Sequence, residues 1–319
     1  MRIDLIIPCY NEEEALPFLF EALLALARKE AAHDFRFLFV DDGSTDATLE
    51  LLRTFAQQDP RVRYLSFSRN FGKEAAMLAG LRASDACATA ILDADMQHPP
   101  ALVSDMITAL ENGADVAAAR RTARVDQPSL YRLGANLFYK LSNGFSDVDM
   151  PEGAQDFRLM KRKVVDAILS MPEYHRFSKG IFSWVGFKTH WIEHTDTERV
   201  AGRTKWNFFS SFQYAVDGMI SFSTKPLAFM VLAGLVISAI GFLYALYVIF
   251  TTLSGVESAP GFPTLVSLIL FFSGIIILSI GLMGLYVARI YMEVKARPHY
   301  LISETNLKDP AHAKSDPTL

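Results

Sequence analysis

The sequence predicts an α/β protein: a mostly parallel sheet covered by helices, followed by an amphipathic stretch and a two-helix membrane hairpin. Three observations carry that expectation. Short strand-like runs alternate with helical segments over residues 3–120. Polar clusters follow those runs directly. Further on, two stretches of 31 residues each carry no charge, between Lys225 and Glu257 and between Glu257 and Arg289.

The strand-like runs are IDLIIP (3–8), FRFLFV (35–40), VRYLSF (62–67), ATAILD (88–93) and DVAAAR (115–120). Residues 12–30, 45–58, 72–84 and 99–111 between them have helical spacing. Such alternation implies right-handed crossovers and a parallel sheet buried on both faces. Ligands of these sheets bind beyond the carboxyl ends of the strands. CYNEEE, DDGSTD, DADMQHPP and Arg120 fall there.

Asp93 and Asp95 lie two positions apart at a strand end, so an extended chain points both the same way, with Gln97 behind them. Two bare carboxylates that close repel each other, and a divalent cation removes that penalty. Oxygen donors favour Mg²⁺ or Mn²⁺. The local alternative is that Asp95 or Gln97 only starts the helix at Pro99 and Pro100. Ser44, Thr45 and Asp46 suit a helix cap and Gly43 a tight turn, which leaves Asp41 and Asp42 unexplained. The chain has no G-x-G-x-x-G after its first strand, no P-loop and no zinc spacing, so dinucleotide and P-loop chemistry lose their signatures.

A net charge of −4 gives no field for nucleic acid. Cys9 and Cys87 sit in apolar runs and read as buried reduced thiols. The N-terminus lacks a secretory pattern, so folding is expected to begin in the cytoplasm. Each uncharged stretch exceeds the roughly 20 residues that span a bilayer. Lys205, Lys225, Arg289, Lys295 and Arg297 flank the hairpin opposite its turn, which holds only Glu257. The positive-inside rule then places both chain ends and the preceding domain in the cytoplasm, at the plasma or inner membrane. The expected division is 1–200 catalytic, 201–225 interfacial, 226–290 hairpin (about 226–253 and 263–288) and 291–319 a tail. ETNLKDPAHAKSDPTL (304–319) has no apolar period and is expected to be disordered.

PCYNE (8–12), VDDGSTD (40–46), SRNFGKEAA (68–76), DADMQHPP (93–100), QDFRLM (155–160) and RVAGRTKW (199–206) occur in this order. Together they resemble family-2 glycosyltransferases of the GT-A fold. More narrowly, the chain is similar to polyprenyl-phosphate glycosyltransferases, among them bactoprenol glucosyltransferases and dolichol-phosphate mannose synthases. The likeness covers about the first 300 residues, hairpin included.

That resemblance implies roles position by position. Pro8, Tyr10, Glu12, Val40 and Asp42 match contacts to the donor's base and ribose. Asp93, Ala94, Asp95 and Gln97 match the motif that binds metal and diphosphate, with Mg²⁺ or Mn²⁺ as the ion. Arg120 matches an arginine at the end of the fifth strand. Arg199 and Lys205 match a basic pair on a loop closing over the phosphates; that loop reads GRTK here, where relatives usually have G-E-S-K. Asp156 matches the proposed base, and Arg132 an arginine meeting the acceptor phosphate. The implied reaction is inverting transfer from a nucleotide sugar to polyprenyl phosphate. Analogy with bacterial relatives favours UDP over GDP, and glucose is one of several sugars that fit. Homo-oligomerisation is left open.

Residues 129–141 and 205–220 each place apolar side chains on one helical face, which fits helices in the bilayer interface; for 129–141, packing on the sheet fits equally well. His98, beside the metal motif, reads as a supporting or structural residue, and Lys161–Lys163 as a solvated or membrane-facing helix start. Two rival readings are a processive polysaccharide synthase and a non-catalytic subunit that binds nucleotide sugar or lipid. The first lacks a Q-x-x-R-W motif and further membrane helices here; the second sits poorly with the intact acids and bases.

Overall fold

The computed structural model describes residues 1–121, 153–194, 223–254 and 261–307. In chain order the elements are β1 (Arg2–Cys9), α1 (Leu16–Lys29), β2 (Asp34–Asp41), α2 (Thr48–Gln58), β3 (Val62–Phe67), α3 (Lys73–Ala83), β4 (Ala88–Ile91), α4 (Leu102–Glu111), β5 (Val116–Arg121), β6 (Ala154–Lys161), α5 (Arg162–Leu169), α6 (Ser178–Trp184), β7 (Thr189–His194), α7 (Lys225–Leu253), α8 (Phe262–Lys295) and β8 (Ile302–Thr305).

The strands form one sheet in the order β7-β5-β6-β4-β1-β2-β3-β8. β1 pairs in parallel with β2 and β4, β2 with β3, and β5 with β7. β6 runs antiparallel between β4 and β5, and β8 antiparallel to β3. The expected mostly parallel α/β architecture is therefore present. The carboxyl ends of β1 to β5 and of β7 share one edge, and β6 and β8 start from that edge.

Helices cover both faces because each central strand is apolar on both. Leu16, Leu19, Phe20, Leu23, Leu26 and Ala27 recur at helical spacing on α1 and are buried. With α2 and α4 they close one core over Ile3, Leu5, Ile7 and Phe39. The second core, under α3 and α5, holds Ile6, Leu38, Val40, Leu65 and Met160. Gly80 of α3 lies so near the sheet that a Cβ there would come 2.3 Å from Ile6 Cγ2.

Three expectations change. β4 stops at Ile91, short of Asp93, and residues 94–98 turn, with Met96 at φ 60°. The extended geometry expected to align Asp93, Asp95 and Gln97 is therefore not formed. Cys87 is exposed, while Cys9 is buried. Cys87 precedes the first residue of β4, so the apolar run that suggested burial begins one position later. Finally, the segment expected to be disordered from 304 onward contributes Glu304 and Thr305 to β8. β8 satisfies the outer edge of β3, and local periodicity cannot reveal a four-residue strand that depends on a distant partner. Residues 308–319 lie outside the described residues.

α7 and α8 each contain a segment long and apolar enough to cross a membrane, Lys225–Tyr244 and Phe271–Lys295, with none of either window buried. Phe229, Leu232, Phe242, Phe271, Ile277 and Leu278 are all more than half exposed. Water does not tolerate an apolar surface of that extent, which calls for a lipid surround. α8 ends with Ala296 in the left-handed conformation at φ 46°.

Candidate active site

The first two βα loops are laced together at the carboxyl edge. Asn11, at φ 55°, donates its N–H to Ser44 Oγ at 3.0 Å and accepts the Thr45 N–H at 2.8 Å. The Glu12 N–H reaches Thr48 Oγ1 at 2.9 Å, and the Glu13 carboxylate accepts the Ala47 N–H at 2.9 Å. Gly43 permits this turn: it sits at φ +69°, and a Cβ there would come 2.4 Å from the carbonyl carbon of Arg69. Tyr10 is 37% exposed beside this lacing, and Pro8 lies level with Val40 on the next strand.

Val40 and Asp42 occupy different surroundings from Tyr10. The Val40 side chain is wholly inside the core. Asp42 is 3% exposed, and its two oxygens accept the N–H groups of Phe71 at 2.6 Å and Gly72 at 2.9 Å. Burial pushes its carboxyl up to about 6, with those two hydrogen bonds acting the other way. Asp41 accepts the Ser44 N–H and the Ser66 hydroxyl. Asp42 thus positions the loop that opens α3, and Asp41 ties its own turn to β3, roles their spacing alone did not show.

That loop delivers Lys73. Its Nζ lies 2.7 Å from Asp93 Oδ1 and 2.9 Å from Asp156 Oδ2, joining an acid after β4 to an acid on β6. Burial works to lower the ammonium's pKa, and the two carboxylates more than reverse this, holding it above the usual lysine range. Burial would likewise raise the Asp156 carboxyl, but Lys73, Lys179 and Arg158 bring it down to about 2. Asp156 lies near the start of β6. The next residue along α3, Glu74, accepts the Ser178 N–H at 3.1 Å and the Ser178 hydroxyl, tying α3 to α6. No motif in SRNFGKEAA marks Lys73 itself; its place at the first position of α3, directly after the turn glycine Gly72, was the available signal.

Asp95 Oδ1 accepts the N–H of Gln97 at 3.1 Å within the turn, and Ala94 is buried. His98 is buried, stacked on Phe157 at 5.6 Å, with Nδ1 3.0 Å from His194 Nε2. Burial lowers it to about 4, so it is neutral at pH 7. Arg120 stands near the end of β5, level with Glu193 of β7. Arg132, Arg199, Lys205 and the stretches 129–141 and 205–220 lie outside the described residues.

Among the described residues no three His, Cys, Asp or Glu side chains gather closely enough to hold a metal alone. The oxygen donors nearby are few: Asp93 already faces a cation, the Lys73 ammonium, and Asp95 Oδ1 accepts the Gln97 N–H within its own turn. Such a set fits an ion that takes its remaining ligands from a diphosphate and water, as Mg²⁺ commonly does.

Several known proteins are similar to this chain. The family described as Glycosyl transferase family 2 matches residues 4–169. The prophage bactoprenol glucosyl transferase homolog of Escherichia coli (strain K12) is 40% identical over 302 residues, 95% of this chain and 98% of that one. The bactoprenol glucosyl transferase of Shigella phage SfII is 40% identical over 310 residues, 97% of this chain and all of that one. Among solved structures, a mannosyltransferase from Pyrobaculum calidifontis, in complex with GDP-Man and Mn²⁺, is 17% identical with a TM-score of 0.46. That match covers 69% of this chain and 62% of the other.

Proposed function

The chain belongs to glycosyl transferase family 2, and from that premise we propose that it transfers a sugar, with inversion, from a nucleotide sugar to polyprenyl phosphate at the cytoplasmic face of a membrane. The names of its relatives support glucose as the sugar and a bactoprenol-type lipid as the acceptor. UDP is the nucleotide preferred over GDP.

The observation that carries this reading is where the chain goes after its second apolar helix. α8 ends at Lys295, and Tyr300 is buried against Phe67 at the carboxyl end of β3. Five residues span at most about 18 Å. The edge that bears Asp93 and Asp156 is thus tied closely to the end of a membrane-type helix. A lipid phosphate cannot leave the headgroup plane freely, since each CH₂ drawn into water costs roughly 0.8 kcal/mol. An acceptor fixed at that plane needs a site held there. Both chain ends lie in the cytoplasm on this reading, with the basic residues around the helix ends facing anionic lipid.

Tyr10, Pro8 and the laced loops around Glu12 form the donor side. A divalent cation, Mg²⁺ or Mn²⁺, held by Asp93 and Asp95 with Gln97 assisting, would neutralise charge on the leaving diphosphate. Arg120, Arg199 and Lys205 add positive charge there, and Arg132 meets the acceptor phosphate. Asp156, with its pKa near 2, is a poor proton acceptor. None is needed, because a phosphate monoester with a second pKa of about 6 is already mostly dianionic at pH 7. Asp156 therefore serves to orient cationic groups toward the reacting phosphates.

The test is to incubate the purified full-length protein with polyprenyl phosphate, Mn²⁺ and a panel of nucleotide sugars, then weigh the lipid product. UDP-glucose should yield polyprenyl-phosphate hexose, and Asp95→Asn should lose most of it while still folding. A chain that glycosylates no polyprenyl phosphate with any donor, yet hydrolyses the donor, would refute the acceptor assignment.

A further inference from the structure

Lys73 is held in place from both sides. Upstream, Asp42 fixes the N–H groups of Phe71 and Gly72, and Gly72 turns at φ 98° to start α3. Downstream, Glu74 is fixed to Ser178 of α6. Between these anchors the lysine side chain reaches across the carboxyl edge to Asp93 and Asp156 together. Its side chain is 43% exposed, those of Asp93 and Asp156 28% and 16%. The three side chains are thus partly open to solvent, while the ammonium itself is packed between the two carboxylates.

We propose that Lys73 is a positioning residue that competes with the divalent cation for Asp93: it occupies the cation's place until the metal arrives with the donor diphosphate, then stays on Asp156 alone. This rests on the reading of Asp93 as a metal ligand. The argument is electrostatic. One carboxylate oxygen cannot hold an ammonium at 2.7 Å and a divalent ion without placing like charges a few ångströms apart. One of the two must yield. Asp156 offers the ammonium a second anchor at 2.9 Å, so Lys73 can release Asp93 without losing its only partner. A hydrated ion brings only neutral water ligands, which do not offset the displacement. An ion carried by a nucleoside diphosphate brings two or more phosphate oxygens. The competition therefore disfavours binding of free metal and favours the metal–nucleotide complex.

Mn²⁺ binding to the full-length protein in detergent, followed by electron paramagnetic resonance without nucleotide and with UDP, tests this. Lys73→Met keeps the chain length and removes the charge; Lys73→Arg keeps the charge. Without nucleotide, Lys73→Met should bind Mn²⁺ about tenfold tighter than wild type, and Lys73→Arg should resemble wild type. With UDP the gap between Met and wild type should shrink. A melting curve establishes that each variant folds, and Lys73→Gln replaces the Met variant if that one does not. If Lys73→Met binds Mn²⁺ no more tightly than wild type while Asp93→Asn abolishes binding, the competition is refuted and the metal reading stands. If Asp93→Asn binds Mn²⁺ as wild type does, the metal reading itself falls and the competition with it.

Discussion

Replacing Tyr300 by Ala should detach the segment that follows the second apolar helix. Within 296–307, Tyr300 is the one buried residue, 1% exposed and stacked on Phe67 with ring centroids 4.9 Å apart and planes 11° apart. Truncating such a ring costs about 3–5 kcal/mol. What else holds the segment is weaker. Arg53 and Glu304 form a two-point ion pair whose side chains are 45% and 36% exposed, so solvent screens it and it adds little. Ser303 and Thr305 donate their hydroxyls to Ser66 and Tyr64 carbonyls, bonds that water can replace at small net cost. Losing about 3 kcal/mol or more should raise amide exchange in Ile302–Thr305 by two to three orders of magnitude. The amides of β1, β2 and β4 should keep their protection, because β8 is an outer strand. Tyr300→Phe keeps the ring and should stay within tenfold of wild type. Hydrogen exchange read by mass spectrometry resolves these peptides. Unchanged exchange in β8 would refute the pinning role. Loss of protection across the whole sheet would show that β8 is no separable strap.

Two further outcomes follow from the loop that carries Lys73. Asp42 has its folded pKa raised to about 6 from an ordinary 3.8, so between those values the native state keeps a proton that the unfolded state has lost. Its contribution is then present below about pH 4 and lost as pH rises through 6, a swing of about 3 kcal/mol from the 1.36 kcal/mol per unit. The melting temperature of wild type relative to Asp42→Asn should accordingly fall between pH 4 and 7, and a difference independent of pH would count against it. Gly43→Ala forces a Cβ to 2.4 Å from backbone at a positive φ; it should cost about 2 kcal/mol or more. That is a drop of about 4–8 °C in melting temperature, with weaker UDP binding by calorimetry, and normal values for both would remove the laced-loop account.

Much of this molecule was legible because its signals are local. The runs at 3–8, 35–40 and 62–67 lie inside β1, β2 and β3, since strands buried on both faces must be apolar throughout. The uncharged stretches coincide with α7 and α8 for the equally local reason that lipid excludes charge. What failed was what depends on partners distant in sequence. The i,i+2 argument for Asp93 and Asp95 assumed a strand that ends two residues earlier. Asp156 on β6 meets Lys73, 83 positions earlier, only because β6 inserts antiparallel beside β4. No periodicity in ISET announces that it completes an edge formed by VRYLSF some 240 residues before it.

The edge strand also changes how the membrane helices bear on catalysis. A chain that simply ended after its hairpin would leave the catalytic domain tethered at one point, free to pivot about residues before Lys225. Here the chain comes back. Glu293 near the end of α8 accepts the Tyr174 N–H at 2.9 and 3.1 Å, His299 lies 3.1 Å from the Glu173 carbonyl oxygen, and Tyr300 enters the core four residues after the left-handed Ala296. Two tethers restrict rotation where one does not, and the second enters at the carboxyl edge, beside the strand ends that carry the acids. Cutting the chain before Pro226 would therefore remove more than an anchor: it would strip β3 of its outer partner, β8, and uncover Phe67. A short-chain soluble acceptor separates these effects. If the hairpin acts only by presenting lipid, a chain truncated there should still use that acceptor. If the returning strand also holds the site edge together, activity on the soluble acceptor should fall as well, and adding residues 297–307 back as a peptide should restore part of it.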